Sequence, residues 1–428
     1  MRARELIDKY KPYMKNMADY FGASLIPMIV TVLANPVFAK FLSPKDYAII
    51  GYYTSFNYLI SPFVIFMSLH YYQRMFFRTD EAGRDRLRAM MTKTFLYFSL
   101  ILMAMAIAVL AVYTRFNDNS DLPFLPYGIL AVLPCWFINF YSLRCVDLKM
   151  QRQSKAYLKL NIVNMAFTTG TALVFVALFK MGALGRMLGS LIGPMLMFIL
   201  VFKDQRKYLS IKVSKSDFKA MLTFCTPLVA SAMLEFFSKG YDKVCLEETV
   251  AIEVLGIYSV GYSFARYLNI FSNAISDTFS PDIFKSVSEG KFGTCVKFIG
   301  LQAAVVSVIA TVFLLFSPIL VHLLTAGRYD ASLPYVKILS LSAISSCIFY
   351  ACSQVVEAAG MTKITFLNKV IGSLVCIWLY SYMIGRWGAS GAAWAVVCSY
   401  LIFLSGLAII VFIYKFSFFK GLMRKLKK

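Results

Sequence analysis

Histidine and acid are scarce in this chain, with two histidines and 22 Asp and Glu among 428 residues. His70 and His322 fall near the ends of apolar stretches and have no cysteine or carboxylate cluster beside them, so metal catalysis and a Ser/His/Asp triad lack support. The nine cysteines are odd in number, scattered and without a CxxC pair, so neither a disulfide framework nor a zinc site is indicated. They read as small apolar packing residues, and neither a metal nor a cofactor is expected. Long polar stretches are missing too. No connecting segment has room for an extramembrane domain, so any activity has to be built from the helices themselves.

Apolar sequence fills the space instead. Hydrophobic residues make up 59% of the chain, charged residues 15%, and the mean hydropathy is +0.67. A spanning helix needs roughly 20 apolar residues, and twelve stretches qualify. The first six are Phe21 to Phe41, Ile49 to Tyr71, Thr94 to Tyr113, Phe124 to Leu143, Leu158 to Phe179 and Leu184 to Phe202. The second six are Met221 to Cys245, Leu255 to Ile275, Phe298 to Leu324, Pro334 to Ala358, Ile364 to Ile384 and Ala389 to Tyr414. The expected fold is an all-α polytopic membrane protein.

The net charge of +22 would suit a nucleic-acid binder, but the placement of the cations argues for a membrane. Most of the 44 Lys and Arg sit in the N-terminal tail, the even-numbered loops and the C-terminal tail, and only a few in the odd loops. Basic loops stay in the cytoplasm, which assigns both termini there. The richest segments are Arg74 to Lys93 and Lys203 to Lys219. They read as topology signals in contact with anionic lipid headgroups. About twenty polar residues precede the first span without a small-residue cleavage site, so it reads as a retained helix. Residues 1–20 and 415–428 carry apolar side chains at helical spacing among charges: Leu6, Ile7, Tyr10 and Met14 in one, Phe418, Phe419 and Leu422 in the other. Both are expected to lie on the cytoplasmic leaflet.

A weak repeat pairs Phe21 to Phe56 with Phe224 to Ala265. Each opens with Phe and a proline-bearing helix, crosses a short outer loop, and enters the next helix through a Gly/Tyr-rich start ending in Ser-Phe. This predicts two six-helix lobes, 21–202 and 220–414, joined by a cytoplasmic linker at 203–219, around a central cleft. Ser43-Pro44-Lys45-Asp46 has the pattern of a helix start, and Ser280-Pro281-Asp282 resembles it. Prolines inside spans, such as Pro62 and Pro227, are candidate kinks.

Ionisable groups inside the spans are the residues most in need of a reason, because each costs roughly 2.5 to 3.5 kcal/mol at the bilayer centre. Span seven carries Glu235, Lys239, Asp242 and Lys243, and the first three are spaced to share one helical face. Arg266 falls near the middle of span eight, Lys369 in the inner part of span eleven, and Lys337 near the outer end of span ten. Two readings are open. Glu235, Lys239, Asp242 and Arg266 neutralise one another and hold two helices together, or they line a cleft where cations meet an anionic head group and Glu235 or Asp242 takes a coupling ion. Arginine is the better phosphate ligand because its fork binds two oxygens. Lys337 and Lys369 are also long enough to snorkel.

Three stretches resemble a known family. Leu33 to Tyr53 is similar to its opening helix and following loop. Phe224 to Ala265 has its Phe-x-x-Pro helix, an acid–base pair and a Gly-x-Tyr-Ser start, and Gly327 to Leu401 has its Tyr-x-x-Ala entrance and Gly-Ala-x-Gly-Ala-Ala-Trp-Ala run. The chain thus resembles the polysaccharide flippases of the multidrug/oligosaccharidyl-lipid/polysaccharide exporter superfamily, the group that includes bacterial O-antigen flippases of lipopolysaccharide assembly. The family's Asp-Arg pair is Asp242-Lys243 here, and Lys40 stands where Arg is common, which removes the two-pronged ligand from both positions.

The resemblance implies passage of a polyprenyl-diphosphate-linked oligosaccharide from the inner to the outer leaflet of the bacterial cytoplasmic (inner) membrane by alternating access, with no bond made and hence no enzyme. The partners expected are that lipid-linked oligosaccharide, anionic membrane lipids and other polysaccharide-assembly proteins. A multidrug antiporter of the same superfamily is the alternative. Its organic cations want acidic cavities, whereas Lys239, Lys243, Arg266, Lys337 and Lys369 outnumber Glu235, Asp242 and Glu357. A membrane enzyme of polysaccharide assembly, the third reading, needs a sizeable loop with paired carboxylates.

Overall fold

A computed structural model describes residues 22–23, 25–116, 121–359 and 361–426. The interfacial segment expected over 1–20 lies outside the described residues, as do the side chains of the basic tail. The described chain is all-α. It forms two compact units, Met1–Met233 and Leu234–Lys428.

The first unit begins with α1 (Leu25–Phe41). Next come α2 (Pro44–Ser55), α3 (Asn57–Ile65), α4 (Ser68–Phe76), α5 (Glu81–Lys93), α6 (Ser99–Phe116), α7 (Phe124–Met150), α8 (Ser154–Leu173), α9 (Gly182–Gln205) and α10 (Lys215–Met233). The expected start at Ser43 is a complete capping box. The Ser43 hydroxyl accepts from the Asp46 amide, and the Ser43 amide donates back to the Asp46 carboxylate. The other Asp46 oxygen takes the Ala183 amide at 2.7 Å, so one side chain caps α2 and ties it to the start of α9. Span two is interrupted where Phe66 and Met67 both adopt left-handed backbone, four residues after Pro62.

The segment read from sequence as a basic loop, Arg74 to Lys93, is mostly helix. Arg88 does not face lipid headgroups: its Nη2 lies 2.8 Å from the buried Asp147 carboxylate, which also accepts from the Tyr72 hydroxyl at 2.6 Å and from Gln151. Five residues of π-helix, Thr94–Phe98, join α5 to α6. Between α8 and α9 the backbones approach closely. A Cβ on Gly189 would meet the Ala172 backbone and one on Gly193 would meet Thr168, the small-residue spacing that lets membrane helices touch. Helix α10 packs in this unit through Met221 and Cys225, buried with Tyr72, Phe95 and Phe140.

The second unit contains α11 (Phe236–Lys239), α12 (Tyr241–Glu247), α13 (Ile252–Ser288), α14 (Phe292–Thr325), α15 (Leu333–Ala358) and α16 (Thr362–Leu426). The helix start expected at Ser280-Pro281-Asp282 is absent, because α13 runs through it. Spans eleven and twelve are one helical run divided at Gly388, whose φ of 54° and ψ of −134° suit glycine and turn the chain. Among the described residues, nine helical runs are long and apolar enough to cross a membrane. Leu25–Phe41, α13 and the division of α16 account for the other three of the twelve expected spans. Apolar side chains point outward at helical spacing on α6 (Ile101, Met105, Val109, Val112) and α14 (Val308, Val312, Leu315, Ile319), the outward face of a protein whose solvent is lipid.

Candidate functional site

Span seven, expected as one helix from Met221 to Cys245, is broken. Its last turns are the four-residue α11 and the seven-residue α12, separated by Gly240 at φ −141° and ψ −24°. A break inside a membrane frees backbone groups that lipid cannot satisfy, so protein has to. Neighbouring helices do so here. The Tyr262 hydroxyl of α13 donates to the Lys239 carbonyl at 2.7 Å, and Ser373 of α16 reaches the Leu234 carbonyl at 3.5 Å.

The break separates the charges predicted to share one face into two clusters. In the first, Glu235 is divided between two cations: Lys239 Nζ lies 2.6 Å from Oε2, and Lys369 Nζ lies 3.2 Å from Oε1. The Lys239 ammonium also stands 5.5 Å from the centre of the Tyr350 ring. Ser238, Tyr350, Tyr400 and Phe403 close around the group, leaving a cavity of about 10 Å³, room for roughly one water. Thus each carboxylate oxygen has its own ammonium. Two oxygens of a phosphoryl group placed there would be met in the same way.

In the second cluster, Asp242 and Lys243 are both buried. Asp242 accepts from the Tyr258 hydroxyl at 2.6 Å and from Lys243 Nζ at 3.3 Å. The Lys243 ammonium sits 3.3 Å from the centre of the Tyr262 ring, a cation held on an aromatic face. Tyr262 therefore joins the clusters, its face under Lys243 and its hydroxyl on the Lys239 backbone. Sequence reasoning passed over Tyr262. The signal was present: Tyr258 and Tyr262 are one turn apart on the helix that follows the charged span.

Arg266 lies one further turn along α13. It is exposed and makes no ion pair among the described residues, so the expected neutralisation by Glu235 or Asp242 does not occur. Lys337 is apart from the group. It is exposed in the second turn of α15, thirteen residues before Tyr350, about 20 Å along the helix axis. Lys369, which sequence alone left free to snorkel, is drawn in by Glu235 instead.

Comparison with known proteins follows this geometry. The fold is that of the transporters of the MOP superfamily. An inward-facing multidrug resistance transporter of its MATE family aligns with a TM-score of 0.69 at 13% identity, over 92% of this chain and 99% of that one. MurJ, a lipid II flippase in an inward closed conformation, aligns with a TM-score of 0.62 at 15% identity, over 91% of this chain and 86% of that one. The family described as "Polysaccharide biosynthesis protein" matches residues 13–287, more than half of the chain, and the chain belongs to it. The capsular polysaccharide biosynthesis protein CapF of Staphylococcus aureus is 28% identical over 211 residues, 46% of this chain and 52% of CapF. The match thus spans about half the length of that relative.

Proposed function

We propose that this protein is a flippase that moves polyprenyl-diphosphate-linked oligosaccharide from the inner to the outer leaflet of the bacterial cytoplasmic membrane. One observation carries the reading: the Glu235 carboxylate is shared between Lys239 and Lys369, each oxygen with its own ammonium. Family membership supports the polysaccharide side of it, and the lipid-linked saccharide handled by MurJ supports the lipid carrier. In this reading the substrate diphosphate takes Lys239 and Lys369 from Glu235, and Arg266, without an ion pair among the described residues, adds a two-pronged contact. Lys243 and Asp242 hold Tyr262 against the break and position Lys239. The released Glu235 then bears a charge in a site that disfavours it, and taking up a cation or proton there couples the cycle to an ion gradient. Asp242, fully buried and bonded to Tyr258, is the less accessible of the two acids. An organic cation is a poor fit to a cluster with more ammonium than carboxylate.

The test is leaflet-sided detection of the lipid-linked oligosaccharide in cells lacking the protein. Inner-leaflet accumulation is expected. It should be relieved by the intact gene and not by a Lys239→Gln/Lys369→Gln double variant present at the same level. Normal arrival of the lipid-linked sugar in the outer leaflet of the deleted cells would refute the reading. In vesicles, Glu235→Gln should bind substrate at least as well as the unaltered protein yet lose dependence on an imposed gradient.

A further inference from the structure

A second basic site lies in the first unit, built by the π-helical turn and the start of α10. It is an open groove of about 490 Å³ lined by Lys93, Tyr97, Phe98, Val213, Lys215 and Phe218. A π-turn packs one more residue into its turn than an α-helix, and such turns are frequent at functional sites. Here it sets Tyr97 and Phe98 along the groove, with Tyr97 largely exposed. The apolar floor is an aromatic stack. The Phe98 ring packs edge-on against Phe218 at 5.8 Å and against Phe66 at 5.2 Å.

The polar side is two cations. Lys93 Nζ donates one hydrogen bond to the Ile211 carbonyl at 2.8 Å, which ties the segment before α10 to α5. An ammonium has three donors, so two remain. Lys215, the first residue of α10, is exposed. Asp217, two residues on, is not part of the lining.

The groove's level in the membrane follows from the chain. Immediately after Phe98 comes the apolar run Ser99–Phe116, and immediately before Val213 comes the basic stretch containing Arg206, Lys207 and Lys212. Charge therefore changes to hydrocarbon within the length of the groove, at headgroup depth.

We propose that this groove holds one anionic phospholipid of the bilayer, its phosphate between Lys93 and Lys215 and its acyl chain along Phe98 and Phe218. A zwitterionic lipid would bring its own cation against the two lysines. An acidic peptide segment would need backbone partners, which a lining of two ammoniums, the three hydroxyls of Thr94, Tyr97 and Ser214, and apolar carbon supplies poorly. The bound lipid would bridge α5 and α10, doing from the membrane what the Lys93–Ile211 bond does from within. This site does not depend on the transport reading.

The full-length protein, carried in nanodiscs of mixed phosphatidylglycerol and phosphatidylcholine and then stripped of bulk lipid, is suited to counting retained lipids by native mass spectrometry. One retained phosphatidylglycerol is expected, with phosphatidylcholine lost. Lys215→Gln should weaken retention about fivefold, the worth of one surface cation toward anionic lipid, and Lys215→Arg should preserve it. Lys203→Gln, an equal charge loss on α9 outside the groove, should leave it unchanged. Because Lys93 also supports the fold, the proposal is tested on Lys215. Equal retention of phosphatidylcholine, or an equal loss in Lys203→Gln, would overturn it. So would displacement of phosphatidylglycerol by stoichiometric farnesyl diphosphate, which would reassign the groove to a prenyl-diphosphate substrate.

Discussion

Asp147, Asp242 and Glu235 are three acids with three kinds of neighbourhood, and their neighbourhoods separate scaffold from site. Asp147 is enclosed by Arg88, Tyr72 and Gln151, and Asp242 by Lys243 and Tyr258. Removing Asp242 strands the buried Lys243, and removing Asp147 leaves Arg88 only the more exposed Asp85; a broken buried pair loses roughly 3 to 5 kcal/mol. Asp147→Ala should therefore lower the thermal midpoint of the detergent-solubilised protein and its level in the membrane, and a variant as stable as the parent would show the network to be dispensable. Glu235 and Lys369 instead line a cavity, and they and Lys239 are only partly buried. Arg266, exposed and without an ion pair among the described residues, has no structural partner to lose. Arg266→Ala should leave protein level unchanged and abolish export, while Arg266→Lys keeps the charge, loses the fork and recovers part of the activity. Normal export by a well-inserted Arg266→Ala protein would remove this residue from the site.

Breaks in helices do the positioning, and each break carries its own compensation. The interruption at Gly240 turns Asp242 away from Glu235, and Tyr262 supplies the donor that the Lys239 carbonyl lost. Tyr262→Phe keeps the ring under Lys243 but leaves that carbonyl unsatisfied, at a cost of about 1 to 3 kcal/mol. The expected result is a lower thermal midpoint together with weaker substrate binding. A change in stability alone would confine Tyr262 to the scaffold. Helices α8 and α9 depend on the opposite device, close contact through Gly189 and Gly193. Both devices escaped the sequence reading, although Gly185, Gly189 and Gly193 stand four residues apart, the spacing of close helix contact. A helical period says which residues share a face only while the helix continues, and in Glu235 to Lys243 the one local sign that the face would be split is Gly240.

The loop charge pattern, carried through the whole chain, predicts sidedness that fusions can read. Reporters after Arg86 and Lys212 should behave as cytoplasmic and a reporter near Thr249 as external, while Asn119, a fourth informative position, lies outside the described residues. An external signal at Lys212 would invert the topology and move the headgroup groove to the other leaflet. Helix α10 belongs by packing to the first compact unit, which ends at Met233: Met221 and Cys225 are buried in its aromatic core. Hydropathy alone does not show this packing, because it measures greasiness and not the identity of neighbours.

Span count, helix class, the Ser43 cap, the boundary between Ile384 and Ala389 and the pairing of Glu235 with Lys239 were all readable from the chain, because hydropathy, capping chemistry and the spacing of one helical turn are properties of adjacent residues. The second half of the candidate site was not. Lys369 reaches Glu235 across 134 residues of chain, Arg88 finds Asp147 across 59, and Lys337, as cationic as either, finds neither acid. A charge inside a membrane has to be compensated, so the sequence could name the residues in need of partners. Which partner each one receives depends on which helices pack side by side and where they break, and that is settled by contacts between segments far apart in the chain.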